Sequence, residues 1–177
     1  MKKCIPWIGL TLLAVIVVAF IVNLLLVISI PNAIMEVTIT KKFNYPSNQW
    51  IFSPPATAAS TDVIRPSADL LYSILCYDVS QHPLRVTANL SEYSSISGFS
   101  MNSDNFFVID DNQAKSNPIE VVLVAKGMTY KDPTGKAYVI MAPSTRGILM
   151  IGAVVTSQAD LPNLTQIQKQ ATAELIQ

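Results

Sequence analysis

Three residues near the middle of the chain could do chemistry together. Arg65, Asp69 and Tyr72 stand close in sequence, with Asp69 and Tyr72 three apart and Arg65 within reach of Asp69. A guanidinium and a carboxylate at this spacing can form a forked, charge-assisted pair. The trio is the best candidate for recognising a polar or anionic ligand at the start of a sheet. The plainer alternative, which we prefer from sequence, is structural: an Arg65–Asp69 pair pins a loop, and Tyr72 supplies core area with a polar tip.

Other candidates are weaker. Asp104 with Asp110-Asp111 offers oxygens to a hard cation, but Ca²⁺ takes about six to eight ligands in a spacing absent here. A solvated turn is expected instead. His82 is the only histidine and lies in the turn Ser80-Gln81-His82-Pro83, with no serine or cysteine nucleophile pattern nearby. Asp78 beside Ser80 reads as turn chemistry. Cys4 and Cys76 lie on either side of a long apolar run; no disulfide or thiolate metal site follows from them, and Cys76 reads as a buried thiol. A Gly-rich phosphate loop, G-x-S-x-G and H-E-x-x-H are all missing. No catalytic residue, cofactor or metal ligand is therefore assigned from the sequence.

The element that places all of these is the run from Ile5 to Ile30. No charge falls between Lys3 and Glu36, and about 20 apolar residues suffice to cross a hydrocarbon core. The run is longer than the apolar region of a signal peptide, about 7–15 residues, so it is expected to remain as an anchor. Lys2 and Lys3 precede it and the next basic residue is Lys41. The excess of positive charge puts the N-terminus in the cytoplasm and the rest outside. Trp7 fits an interfacial position, and Asn23 either bonds to a neighbouring helix or is tolerated.

Beyond the anchor the charges nearly balance: leaving out Lys2 and Lys3, ten of the 12 Lys and Arg face all 12 Asp and Glu. That removes the basic footprint of a nucleic-acid binder. Residues 31–60 read as a juxtamembrane helix, Ile34–Phe43, and a Pro-rich connection touching the domain through Trp50–Phe52. Residues 61–177 read as one β-domain. Leu70–Tyr77 fits a buried strand, and Leu84–Ala88 alternates with Leu84, Val86 and Ala88 facing in. Tyr93–Phe99, Asn105–Ile109, Ile119–Ala125, Ala137–Met141 and Ile148–Val155 are further strands. Asp132-Pro133-Thr134-Gly135 reads as a type I turn closing a hairpin. Leu164, Ile167, Ala171 and Leu175 predict an amphipathic helix over Asn163–Ile176. The expected fold is mainly β: an antiparallel sandwich or partial barrel with a C-terminal helix, after one transmembrane helix.

The run Val63-Ile64-Arg65-Pro66-Ser67-Ala68-Asp69-Leu70-Leu71-Tyr72-Ser73, followed by Tyr77-Asp78-Val79-Ser80 and Pro83-Leu84-Arg85-Val86, resembles the opening of the domain of unknown function 1254. The family pattern is V-x-R-P-N-x-D-T-L-Y-S. Arg65, Pro66, Asp69, Tyr72, Ser73, Asp78, Ser80 and Pro83 match; Ser67 and Leu70 replace the family Asn and Thr. The resemblance implies a β-sandwich in a short, membrane-anchored bacterial subgroup. It also implies a separate anchored partner carrying the companion domain of unknown function 1214. The resulting expectation is an inner-membrane protein with a periplasmic domain, acting as a non-enzymatic subunit of an envelope complex. A periplasmic ligand-binding module, or an enzyme whose site the partner completes, is the alternative.

Overall fold

The computed structural model describes residues 5–43, 47–57, 60 and 66–176. Its first element, helix α1, runs unbroken from Ile5 to Val37 over 33 residues. The segment is rich in β-branched residues, which disfavour helix in water. Where no water is available, a helix satisfies every backbone group within the segment, and that constraint outweighs propensity. Polar side chains along it close on its own carbonyls: Thr11 Oγ1 donates to Trp7 O at 3.0 Å, and Asn32 Nδ2 donates to Ile28 O at 3.1 Å. Pro31 lies inside the helix and, having no N–H, removes one backbone bond. Among the described residues this is one helix long and apolar enough to cross a membrane, with a mean hydropathy of 3.1 over its best window.

The helix does not stop where the apolar run ends. It passes directly into a π-helical segment, Thr38–Phe43, where the juxtamembrane helix was expected. Met35, Ile39 and Phe43 are buried, at an i, i+4, i+8 spacing. In a pure α-helix that spacing drifts round the axis by about 40° per step. The wider π turn, bonded to residue i−5, works against the drift and keeps the three side chains on one face.

Among the described residues nine strands form two sheets. β1 (Trp50–Phe52), β2 (Leu70–Asp78), β4 (Ser94–Ser100), β5 (Asn105–Asp110) and β8 (Arg146–Val154) make the first, in the order β1-β2-β8-β4-β5, antiparallel throughout. β3 (Leu84–Ala88), β6 (Ile119–Val124), β7 (Tyr138–Met141) and β9 (Thr172–Leu175) make the second, in the order β7-β6-β3-β9. The two sheets do not close into a barrel. Between them lies one apolar core including Leu75, Tyr77, Leu84, Ile96, Val121 and Leu149.

Strand β2 is buried along both faces. Side chains alternate across a strand, so Leu75 and Tyr77 enter the core between the sheets. Ile74 and Cys76 point the other way and meet Met35, Ile39 and Phe43. The outer face of the first sheet is thus covered by the continuation of the anchor helix.

Three expectations are corrected. First, the C-terminal helix, α2, spans only Leu161–Gln168; the rest of the expected helix turns at Lys169 and Gln170 and then forms strand β9. Pairing with β3 gives Thr172–Leu175 a ladder of bonds, and Leu175, read as part of the apolar stripe, is 45% exposed. Second, β6 and β7 run parallel, so the Asp132 turn does not close a hairpin. It sits inside the crossover that two parallel strands require. Third, Trp50–Phe52, read as a contact point in an irregular connection, is an edge strand. The Trp50 indole Nε1 donates to Thr172 O at 3.2 Å, tying that edge to the edge of the second sheet.

Candidate functional site

Arg65 lies outside the described residues, so the trio singled out in the sequence is visible only at Asp69 and Tyr72. Asp69 is exposed just ahead of β2. Its carbonyl accepts from Val155 N at 2.8 Å, and no partner for its carboxylate appears among the described residues. Tyr72 is buried, and its hydroxyl accepts from the backbone N–H of Ser67 at 3.2 Å. Two shallow clefts flank α2. One, of about 240 Å³, is lined by Tyr93, Asp160 and Leu164 among others; the other, of about 260 Å³, by Phe52, Ser53 and Gln168. Neither is lined by Asp69 or Tyr72.

The remaining sequence candidates hold turns together. Asp110 Oδ1 accepts from Gln113 N at 2.8 Å, and Asp111 Oδ2 from Tyr93 N at 3.2 Å. The Asp104 carboxylate takes the Asn102 amide. Asp78 Oδ1 accepts from Ser80 N at 2.9 Å. His82 is exposed in the β2–β3 turn. Among the described residues no three His, Cys, Asp or Glu side chains gather as a metal site. Asp132 accepts from the N–H groups of Ala137 and Thr134, which hold its carboxyl below the usual range.

A cluster that sequence reading missed lies on the second sheet. Arg85 on β3 reaches Glu120 on β6 at 2.9 Å and Glu174 on β9 at 3.1 Å. Its Nη2 donates to Tyr130 Oη at 2.9 Å. Arg85 and Glu174 are directly opposed, and Glu120 is one diagonal step away because it pairs with Thr87. Such cross-strand pairs stabilise a sheet by roughly 0.2–1 kcal/mol each. The Tyr130 bond, with the two carboxylates, raises the Arg85 pKa further. A helical period over Asn163–Ile176 does not reveal this cluster, because only strand pairing brings Glu174 beside Arg85.

The most distinctive site is the junction between α1 and the first sheet. Arg146 Nη1 donates to both carboxylate oxygens of Glu36, at 3.2 and 3.1 Å. The two side chains are 35% and 45% exposed, so the pair is worth about 1 kcal/mol at most. Its use is positional: it clamps the helix at the end of β8. Beneath it, Met35, Ile39 and Phe43 cover Ile74 and Cys76, with Ile51, Phe99, Ile148 and Met150 around them. Asn48 closes the return of the chain. Its N–H donates to Cys76 O at 2.7 Å, and its side chain exchanges two bonds with the Asp78 backbone, at 2.8 and 3.0 Å. It does so at φ 66°, a left-handed conformation that Asn adopts more readily than most residues.

Burial under this helix pushes the Cys76 thiol up to about 11, with nearby Arg146 only partly offsetting it. A thiol protonated at neutral pH is a poor nucleophile. Cys76 is therefore expected to resist maleimide in the folded protein and to report on undocking of the helix. In a Cys4→Ser chain, labelling should be slow, and faster by at least tenfold in a Phe43→Ala variant. Equal rates in the two chains would show that Phe43 does not shield the thiol.

The fold has relatives. The family described as "Protein of unknown function (DUF1254)" matches residues 47–174. The crystal structure of the VPA0106 protein from Vibrio parahaemolyticus superposes with a TM-score of 0.62 at 15% identity, covering 84% of this chain and 35% of that one. An uncharacterized protein from Burkholderia cenocepacia gives a TM-score of 0.52 at 14% identity, covering 80% of this chain and 39% of that one. At these identities the likeness is one of fold. This chain spans well under half the length of either. No curated protein matches it.

Proposed function

We propose a function for a chain that belongs to the DUF1254 family: it is a single-span protein of a bacterial inner membrane, and its β-sandwich is a non-enzymatic subunit of an envelope complex in the periplasm. The observation that carries this reading is the junction. A tether for an independently moving domain needs no packing against it. Here Met35, Ile39 and Phe43 enter the domain from the helix itself, which favours anchor and sandwich moving as one body. A domain mounted in this way meets another anchored protein at high effective concentration and with its faces already oriented.

Lys2 and Lys3 ahead of the span support a cytoplasmic N-terminus. The non-enzymatic reading draws on the charged side chains. Arg85, Asp110, Asp111, Asp132 and Arg146 all close structural bonds. The partner proposed is an anchored protein carrying the companion domain of unknown function 1214. In the two solved structures the shared fold occupies 35% and 39% of the chain and so adjoins further polypeptide, which supports a companion domain beside it.

Co-expressed with the companion protein and extracted in mild detergent, the tagged chain is expected to carry it through affinity and size-exclusion steps. Loss of the companion gene should lower the level of this chain. An unchanged level with no co-migration would leave a self-contained monomer instead. Protease added to spheroplasts should remove the sandwich, and full protection would refute the topology.

A further inference from the structure

Resting on the reading that α1 spans a bilayer, the helix is too long for that task alone. Its 33 residues measure about 50 Å, against about 30 Å of hydrocarbon. Met35, the first buried residue of the junction, is five positions past Ile30, or about 7–8 Å. The headgroup layer on one side of a bilayer is about 5–8 Å deep. The sandwich therefore begins at headgroup level.

The face of the emergent helix opposite the junction has its own pattern. Ile30, Ile34 and Val37 are 49%, 53% and 51% exposed, at i, i+4, i+7, and the next residue on that stripe is the exposed Lys41. Nearby hydroxyls are turned inward: Thr38 Oγ1 donates to Ile34 O at 2.9 Å and Thr40 Oγ1 to Glu36 O at 2.7 Å. The stripe continues the apolar surface of the span without interruption and ends in a cation. An aliphatic stretch capped by a lysine matches the depth profile of a lipid leaflet, from acyl chain to phosphate. We propose that the Ile34–Val37–Lys41 face is a lipid-contact surface, with the two aliphatic side chains lying in the interfacial layer just outside the hydrocarbon and the Lys41 side chain reaching back toward lipid phosphates. The sandwich then rests on the bilayer and does not stand off from it.

The test uses the full chain with Cys4→Ser, reconstituted into vesicles of phosphatidylethanolamine and phosphatidylglycerol. Single spin labels are placed at Leu24, Ile34, Val37 and Tyr93 through cysteine variants, all at exposed positions; Cys76 is retained because it is shielded. Accessibility to oxygen and to a water-soluble nickel complex is then compared. Labels at 34 and 37 should show oxygen access above nickel access, though by less than the deeper Leu24, while Tyr93 shows the reverse. If 34 and 37 resemble Tyr93 while Leu24 stays in lipid, the contact surface is refuted and the anchor stands. Shielding of 34 and 37 from both reagents would mean that protein covers this face, which also refutes the proposal. A water-exposed Leu24 would overturn the anchor reading and the proposal together.

Discussion

Replacing Phe43 by alanine is expected to cost the domain about 3–5 kcal/mol, the usual penalty for emptying a buried aromatic site. This is a large effect for a residue in a stretch that reads from sequence as a juxtamembrane helix. Phe43 is 5% exposed and packs with Ile39 against Ile74 and Cys76. Those two belong to β2, whose other face forms the central core, so a cavity at Phe43 lies directly against the strand that holds both layers. Ile34→Ala, on the exposed side of the same helix, should change stability in detergent by roughly 0.5 kcal/mol or less. Chemical unfolding of both variants in mild detergent, followed by circular dichroism, checks the difference. Equal midpoints would mean that the helix merely lies beside the sheet.

Gly147→Ala should be comparably damaging, at about 3 kcal/mol. A Cβ at this position of β8 would stand 2.2 Å from the Phe99 carbonyl oxygen and 2.5 Å from Tyr77 Oη. The first of these is backbone of the paired strand β4 and cannot swing aside. The second belongs to a ring that is 1% exposed and packed edge-on against Phe106. Gly152, five residues along the same strand, offers the control: a Cβ there meets nothing within 4 Å, and alanine removes the entropic cost of a strand glycine. Gly152→Ala should be neutral or slightly stabilising, and a melting-temperature comparison of the two variants is decisive.

Much of this architecture was legible in the sequence where one physical signal dominated. The absence of charge between Lys3 and Glu36 marked the long helix. The alternation in Leu84–Ala88 marked β3 and its inward face. The continuous apolar run Leu70–Tyr77 marked a buried strand, although the run could not say what covered either side. That answer needed Met35, Ile39 and Phe43, whose spacing reads as an ordinary helix face until the sheet is placed beneath it. β9 was hidden because Leu164, Ile167, Ala171 and Leu175 fit a helical period by coincidence. Pairing with β3 supplied the bonds that overrode the pattern. The parallel β6–β7 pair was hidden because the Asp132 turn carries a real local signal but does not fix the direction of the strand that follows. Of the candidate trio, Tyr72 is placed by its hydroxyl bond to Ser67, and Asp69 is left exposed at the mouth of β2.

The Glu36–Arg146 clamp and the packing beneath it are expected to hold the anchor and the sandwich as one rigid body. The direct measurement is the distance between spin labels placed at Val27 on α1 and Tyr93 on the sandwich, both exposed, in the full chain with Cys4→Ser and Cys76→Ala. Dipolar spectroscopy in detergent should give a single narrow distance distribution, which broadens when Phe43→Ala is added. A broad distribution in the chain that retains Phe43 would contradict the claim and make the helix a flexible tether.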